Sequence, residues 1–493
     1  MASYIGYNAI YGGYCMQLLI YFLVFFVSFG TIFGQGSQPI TLNDFSQLNE
    51  TIVKDIIYPS SYYQLQDKVI AANNAGHKLS LAGSLHSQGG HAFVRNGIAI
   101  HLANLNKIIH LDEEKMVLTV QAGATWHEIQ KFLNPRNLSI KIMQFANPFT
   151  VGGSLSVNCN GIDPHCGPLI ESVRSIKIML ADGSIVTASR SENSELFKLA
   201  IGGYGLFGII LECTLDIVKN DLYKRTSKNI SLHEYHAEVE RIKDDPLIGF
   251  HFAHLKFNPR GKKLFSDVMS VTFKKIDENK ISNRTKKRAK KLYEERFVKI
   301  KQISLPFLRE SRFIKSIQWF EEALKDGKIV ARNNIMSPPA SHFYCPSKKH
   351  TQLLQEYFIP VHQLIPFIDE LEFITCKLNV NLLHVAFRFI RKNTESVLSY
   401  TNQDCLGVVL LISQPMTPSG MESTQIWTRH LITQAIKSGG TYYLPIQLHA
   451  TQDQLCTVYP KIKNFFQLKK HYDPHIIFMN QFYANYALEN LCK

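Results

Sequence analysis

The chain has 493 residues, 45% of them hydrophobic and 19% charged. That excludes a disordered or fibrous protein and leaves room for two or three domains around a large core. Lysine and arginine total 54 against 40 acidic residues, a formal charge of +14. Such a charge attracts anions in general, without choosing among nucleic acid, phosphorylated cofactors and acidic lipid. The nine cysteines are widely spaced and include no CxxC pair, so neither a disulfide scaffold nor a metal site is expected.

In chain order, residues 1–43 hold no charged side chain, and residues 18–33 are almost wholly apolar. The run has the length of a signal-peptide core and is slightly short for a membrane span. Residues 1–40 are therefore expected to be a signal peptide or membrane anchor, with Met1 or Met16 as the start. The protein is then exported or membrane-anchored. A buried helix of the fold is the other reading of this run.

From residue 52 to 217, short strands alternate with helices. Tyr58-Pro59-Ser60-Ser61 opens a helix that runs to residue 75. Strands are expected at 78–82, 97–102 and 116–121, then a helix over 125–133. Residues 176–180 and 185–188 form a hairpin around Asp182-Gly183. A closing strand covers 208–217. The pattern is α+β, not the long βαβ rhythm of a doubly wound sheet, and no GxGxxG stands between a strand and a helix.

The middle region, 221–440, reads as a second α+β domain. Strands are expected at 248–255, 268–273, 382–389 and 406–412, and helices at 357–371 and 424–438. Inside it, Arg284, Lys286, Lys287, Arg288, Lys290, Lys291, Arg296, Lys299 and Lys301 face only Glu294 and Glu295. This segment supplies half of the excess charge. A solvated helix or loop accounts for it, with acidic lipid as its most interesting partner. No nucleic acid is expected, because no binding motif accompanies the charge.

Three glycine-bearing stretches carry the chemistry. The first, Ala82-Gly83-Ser84-Leu85-His86-Ser87-Gln88-Gly89-Gly90-His91, follows a strand. A glycine/serine turn there exposes successive backbone N–H groups, a nest that suits a pyrophosphate. The second is Thr150-Val151-Gly152-Gly153-Ser154-Leu155-Ser156-Val157-Asn158-Cys159-Asn160-Gly161, and the third is Ile201-Gly202-Gly203-Tyr204-Gly205-Leu206-Phe207-Gly208-Ile209-Ile210.

In this order these stretches resemble the FAD-binding domain of the vanillyl-alcohol oxidase / p-cresol methylhydroxylase (PCMH-type) flavoprotein family. The first is similar to its GxxHS pyrophosphate loop. Gln121-Ala122-Gly123-Ala124-Thr125-Trp126 resembles its AGxxW step. The second stretch resembles TVGGxLxxNxHG, and Leu180-Ala181-Asp182-Gly183 resembles its LADG hairpin. Leu196-Phe197 with the third stretch resembles LFxAxxGGxGxFGII. The likeness covers about residues 48–220.

It extends more weakly onward. Gln355-Glu356-Tyr357-Phe358-Ile359-Pro360 and Phe387-Arg388-Phe389 resemble motifs in the substrate domains of aldonolactone and alditol oxidases. Gly439-Gly440-Thr441-Tyr442-Tyr443-Leu444 and Tyr472-Asp473-Pro474 resemble the decaprenylphosphoryl-ribose oxidase group. The resemblance implies a two-subdomain FAD-binding domain over 48–220, a substrate (cap) domain with an antiparallel sheet over 221–440, and a segment at 441–493 that completes the active site.

By the same resemblance, FAD contacts fall to Gly83, Ser84, Leu85, His86, Ser87, Gln88, Gly152, Gly153, Ser156, Asn160, Gly161, Gly208, Ile209 and Ile210. His86 stands where many family members attach the flavin 8α-methyl covalently. Arg388 would face the flavin or substrate, or else is a structural ion-pair arginine, and Gln447 and His449 are further polar candidates. Tyr443 and Tyr357 are pocket or core aromatics. The chain departs from the family at Asn160, often a histidine, and at Ile446, where the decaprenylphosphoryl-ribose oxidase group has lysine.

The expected function is FAD-dependent hydride removal from a C–H next to a hydroxyl, in a polyol, sugar or sugar lactone. O2 or another acceptor would reoxidise the flavin. Two alternatives stand. One is cytokinin-dehydrogenase-like amine oxidation, whose GHSxxGQA and GPxIxxV motifs resemble residues 86–92 and 167–173. The other is a flavin-fold protein at a membrane that has lost catalysis.

Overall fold

Among the residues described, four sheets carry the chain. The computed structural model describes residues 39–258, 263–293, 325–338, 349–488 and 491–492. The signal or anchor expected at 1–40 therefore lies almost wholly outside them, as do residues 294–301 of the basic segment. Strands β1 (Ile40–Leu42) and β2 (Thr51–Val53) pair antiparallel. Strands β3 (Asp55–Ile57), β4 (Leu79–Ala82) and β5 (Ile98–His101) form a parallel sheet in the order β3-β5-β4. The helix Tyr62–Asn74 connects β3 to β4, and the Ser61 side chain caps it by accepting from the Gln64 N–H.

The next sheet has six strands: β6 (Ile108–Asp112), β7 (Val117–Gln121), β8 (Leu138–Ile140), β9 (Val173–Met179), β10 (Ile185–Ser189) and β11 (Ile209–Lys219). Their order is β10-β9-β11-β7-β6, with β8 also on β11. The β9–β10 hairpin turns at Asp182-Gly183, and Gly183 takes a positive φ of 86°. The helix Trp126–Leu133 starts at a capping box between Thr125 and Glu128. It buries Trp126 completely.

Across Asn220 and Asp221 the chain leaves this sheet for an eight-stranded antiparallel one. Its strands are β12 (Leu222–Ser231), β13 (Ile248–Phe257), β14 (Phe265–Lys275), β15 (Ile329–Ala331), β16 (His350–Pro360), β17 (Leu382–Ile390), β18 (Cys405–Pro415) and β19 (Thr441–Tyr442). Their order is β15-β12-β14-β13-β17-β18-β16-β19. The fold is thus α+β with an antiparallel cap sheet.

One expected element is wrong. Residues 357–360 belong to β16, and the helix begins only afterwards, as Leu364–Lys377. Almost every residue of β16 is buried. A strand covered on both faces loses the period-2 alternation and reads like a buried helix.

The C-terminal segment closes back on β4. Leu79 donates its N–H to Ile477 and accepts from Met479 N–H, at 2.6 and 2.8 Å. Asp473 fixes that return by accepting from the N–H groups of Ile477 and Phe478 and by pairing with the buried Lys469. Cys456 and Cys492 form a disulfide across the same segment.

Candidate active site

The loop after β4 leaves the sheet with its backbone donors unused. Among the described residues, the N–H groups of residues 84–87 have no protein acceptor. Leu85 takes a positive φ of 58°, the kind of reversal that lets successive N–H groups converge on an anion. Gly83 permits the close packing beneath them, because a Cβ there would stand 2.3 Å from Thr150 Oγ1. Ser84 Oγ anchors the loop by donating to the Pro148 carbonyl at 2.9 Å.

His86 sits between two aromatic rings, with centroids 4.9 Å from Phe45 and 4.5 Å from Phe149. Burial pushes its imidazole down to about 4, so the ring is neutral near pH 7 and keeps a nucleophilic lone pair. The loop, residues 144–160 and the cap sheet together enclose a cavity of about 390 Å³, within the range of small-molecule sites.

The cap wall of this cavity carries a buried ion pair. On β17, Arg388 Nη2 donates to both carboxylate oxygens of Glu356 at 2.7 Å, and its Nε donates to Oε1 at 2.9 Å. Gly407 lies on β18 between the two strands, paired with Arg388 on one side and Phe358 on the other. A Cβ at 407 would stand 2.8 Å from Glu356 Oε1 and 3.2 Å from Arg388 Cγ. The bare backbone there opens the path along which the two side chains meet. Burial opposes the Arg388 charge, but attraction and hydrogen bonds from Glu356 outweigh it and hold the guanidinium above its ordinary range.

Beside this pair lie Cys159, Asn160 and Tyr443. Burial pushes the Cys159 thiol up to about 12, which keeps it protonated. Tyr443 OH donates to the Val157 carbonyl at 3.1 Å. Asn160 Nδ2 donates to Tyr400 OH at 3.3 Å, while its Oδ1 is buried without a partner among the described residues. Ile446 also lines the cavity, an apolar surface where a related group has a cation.

Most of the expected FAD contacts converge on the cavity. Residues 83–88, Gly152, Gly153, Ser156, Asn160, Ile210 and Arg388 all line it. Five expected residues lie elsewhere. Gly161 lies against the Met143 carbonyl. Ile209, like Ile210, enters the β9–β11 ladder, with Met179 as its partner, and Gly208 packs against Met179 just before the strand. Gln447 serves the loop from behind, its Nε2 donating to the Gln88 carbonyl. His449 is buried outside the cavity, and its carbonyl accepts from Arg429 Nε at 2.7 Å. Of the two tyrosines left open, Tyr443 is a cavity residue, and Tyr357 is core, bonded to Gln355 Oε1 at 2.7 Å.

Sequence reasoning misses Glu356, although it stands inside the quoted motif at 355–360. The signal is a carboxylate in an otherwise apolar strand, where an unpaired charge would be costly. It also misses His254 and His384, which meet in the cavity wall only through the pairing of β13 with β17.

These residues fit FAD. The unused N–H groups at 84–87 suit its diphosphate, and the orphaned Asn160 Oδ1 can accept a hydrogen bond from the flavin. Comparison with known proteins agrees. A FAD binding domain model matches residues 53–189, and a D-arabinono-1,4-lactone oxidase model matches residues 265–486. L-galactono-1,4-lactone dehydrogenase 2, mitochondrial, of Oryza sativa subsp. japonica is 30% identical over 36% of this chain and 30% of its own length. L-gulonolactone oxidase of Mus musculus is 27% identical over 36% of this chain and 40% of its own. The chain thus spans about a third of the length of the curated relatives it matches. Over these two matched segments the chain is similar to the PCMH-type FAD-binding flavoproteins, near the aldonolactone oxidases.

Proposed function

We propose that the protein oxidises a C–H next to a hydroxyl on a sugar lactone, using FAD attached covalently through His86. O2 or another acceptor takes the electrons onward. The observation that carries this reading is the Glu356–Arg388 pair, buried in the wall that faces the diphosphate loop. The bound flavin supplies the acceptor for the hydride. Glu356 accepts the hydrogen bond and then the proton of the substrate hydroxyl. Arg388 holds that carboxylate in place and puts a positive charge beside the reacting centre. The residues at 83–88, Gly152, Gly153, Ser156, Asn160 and Ile210 hold the cofactor.

The lactone-oxidase match over the cap favours this reading over amine oxidation. The buried ion pair favours it over a protein that has lost catalysis. The test is flavin bleaching under anaerobic conditions over lactones, polyols and amines. Lactones should bleach it, and Glu356→Gln should slow bleaching by about a hundredfold or more. Bleaching by amines alone would overturn the reading. Acid-precipitated wild type should stay yellow and His86→Ala should not; colour retained by His86→Ala would refute covalent attachment there. Readmitting air, or a dye without air, separates O2 from another acceptor.

An exported or anchored location rests on the apolar run at 18–33 and on the Cys456–Cys492 disulfide, which belongs in an oxidising compartment. No helix among the described residues is long and apolar enough to cross a membrane. On the helix Asn283–Lys290, Arg284, Lys287 and Arg288 are exposed and available to acidic lipid. Co-flotation with phosphatidylserine vesicles, lost in high salt, checks that contact.

A further inference from the structure

The cavity has a second polar end that the reaction above does not use. His254 on β13 and His384 on β17 meet there, Nδ1 to Nε2, at 2.9 Å. His384, Ala386 and Arg388 occupy alternate positions on β17, so all three face the cavity. Across the sheet, His254 pairs with Ala386, Ala386 with Val409, and Val409 with Glu356. Three strand spacings of about 4.8 Å put the Cα atoms of His254 and Glu356 about 14 Å apart. Between the two polar ends the wall is apolar: Ala386, Val409 and Leu411.

In this contact one imidazole donates and the other accepts. Burial, with the neighbouring His384, Arg225 and Lys325, holds His254 well below its ordinary range. The shared bond uses His254 Nδ1 and leaves Nε2 with one hydrogen-bonding role. That nitrogen has no protein partner among the described residues. A lone polar group at the end of an apolar wall discriminates strongly, because a ligand that cannot pair with it leaves it unsatisfied.

We infer that His254, oriented by His384, hydrogen-bonds a hydroxyl on the substrate's tail, several carbons from the carbon that is oxidised. The inference rests on the lactone-oxidising reading and deepens it. The preferred substrate is a hydroxylated molecule of about hexose size, extended from Glu356 to His254. Side chains fill part of the separation at each end, and a polyhydroxylated chain fills the rest. His254 is a specificity-determining residue and takes no proton in the reaction.

The test compares two lactones on the FAD-loaded enzyme: L-galactono-1,4-lactone, with a hydroxylated tail, and L-threono-1,4-lactone, which ends at the ring. His254→Ala should lower the ratio of kcat/KM for the long over the short lactone about threefold to tenfold. The loss should appear mainly in KM, and His254→Gln should restore part of the ratio. Flavin content and absorbance of each variant are measured alongside, so that misfolding registers separately. An unchanged ratio, or a loss confined to kcat, overturns the inference while the lactone reading stands. If lactones fail but alditols bleach the wild-type flavin, the lactone reading falls, and sorbitol against glycerol decides the role of His254 in the same way. If neither class bleaches it, both fall together.

Discussion

Gln88 Oε1 accepts a hydrogen bond from the backbone N–H of Leu354 at 3.0 Å, tying the loop after β4 to the cap sheet. The same residue joins two more segments. Its N–H donates to the Pro445 carbonyl at 3.1 Å, and its carbonyl accepts from Asn49 Nδ2 and Gln447 Nε2. The loop, the cap and the C-terminal segment therefore share one fixed point.

Gln88→Ala removes the side-chain acceptor and leaves the Leu354 N–H unpaired in a largely buried place. The cost should be about 1–3 kcal/mol. The variant should melt at lower temperature and retain less FAD after dialysis. Thermal denaturation with flavin absorbance checks both.

The position of Gly407 predicts a second effect. Gly407→Ala sets a methyl group 2.8 Å from Glu356 Oε1, which forces the carboxylate away from Arg388. The kcat for lactone oxidation should fall at least tenfold. Arg388 then loses its partner in a buried site, so stability should also fall, by a few kcal/mol. Steady-state kinetics and chemical denaturation read the two losses. Gly407→Ala with wild-type kcat would separate the ion pair from catalysis.

The fold was legible where local chemistry sets it. Ser61 and Asp182-Gly183 mark element boundaries, and the structure places a cap at the first and a turn at the second. The glycine stretches mark the loop and the inner wall of the cavity for the same reason. What was not legible depends on pairing between distant strands. His254 and His384 are 130 residues apart and meet only because β13 lies beside β17. Glu356 gains meaning only from Gly407 and Arg388 on two neighbouring strands. Gly208 looked like a flavin contact because it ends a glycine motif, but its neighbours are Met179 and Ile178. His449 looked available as a polar residue near the C-terminal motif, yet it is buried away from the cavity.

Buried histidines predict the acid limit of the fold. His91, His251 and His449 are each pushed down to about 4, first of all by burial. Unfolded, they titrate near 6.5. Above that pH both states are neutral and the histidines leave stability independent of pH. As pH falls from about 6.5 toward 4, the unfolded chain binds protons that the folded chain does not, so stability falls. Each group contributes up to about 1.4 kcal/mol per pH unit in that window. Urea denaturation at pH 7.5, 6 and 5 should show the midpoint dropping only below about 6.5. Replacing His251 by Asn should flatten the decline.

The disulfide predicts a separate dependence on redox state. Cys456 lies on the helix Gln452–Val458, and Cys492 lies 36 residues later. Closing a loop of that size restricts the unfolded chain by about 3–4 kcal/mol. The helix Ile462–Tyr472, the buried Lys469–Asp473 pair and the stretch that joins β4 all lie within the loop. Reduction should therefore loosen the segment that returns to β4. Cys456→Ser should melt several degrees lower than wild type, and dithiothreitol should lower wild type to the same value without affecting the variant. Peptide mapping without reductant should recover Cys456 and Cys492 in one linked fragment. Equal melting of oxidised, reduced and Cys456→Ser protein would show that the bond does not hold this segment.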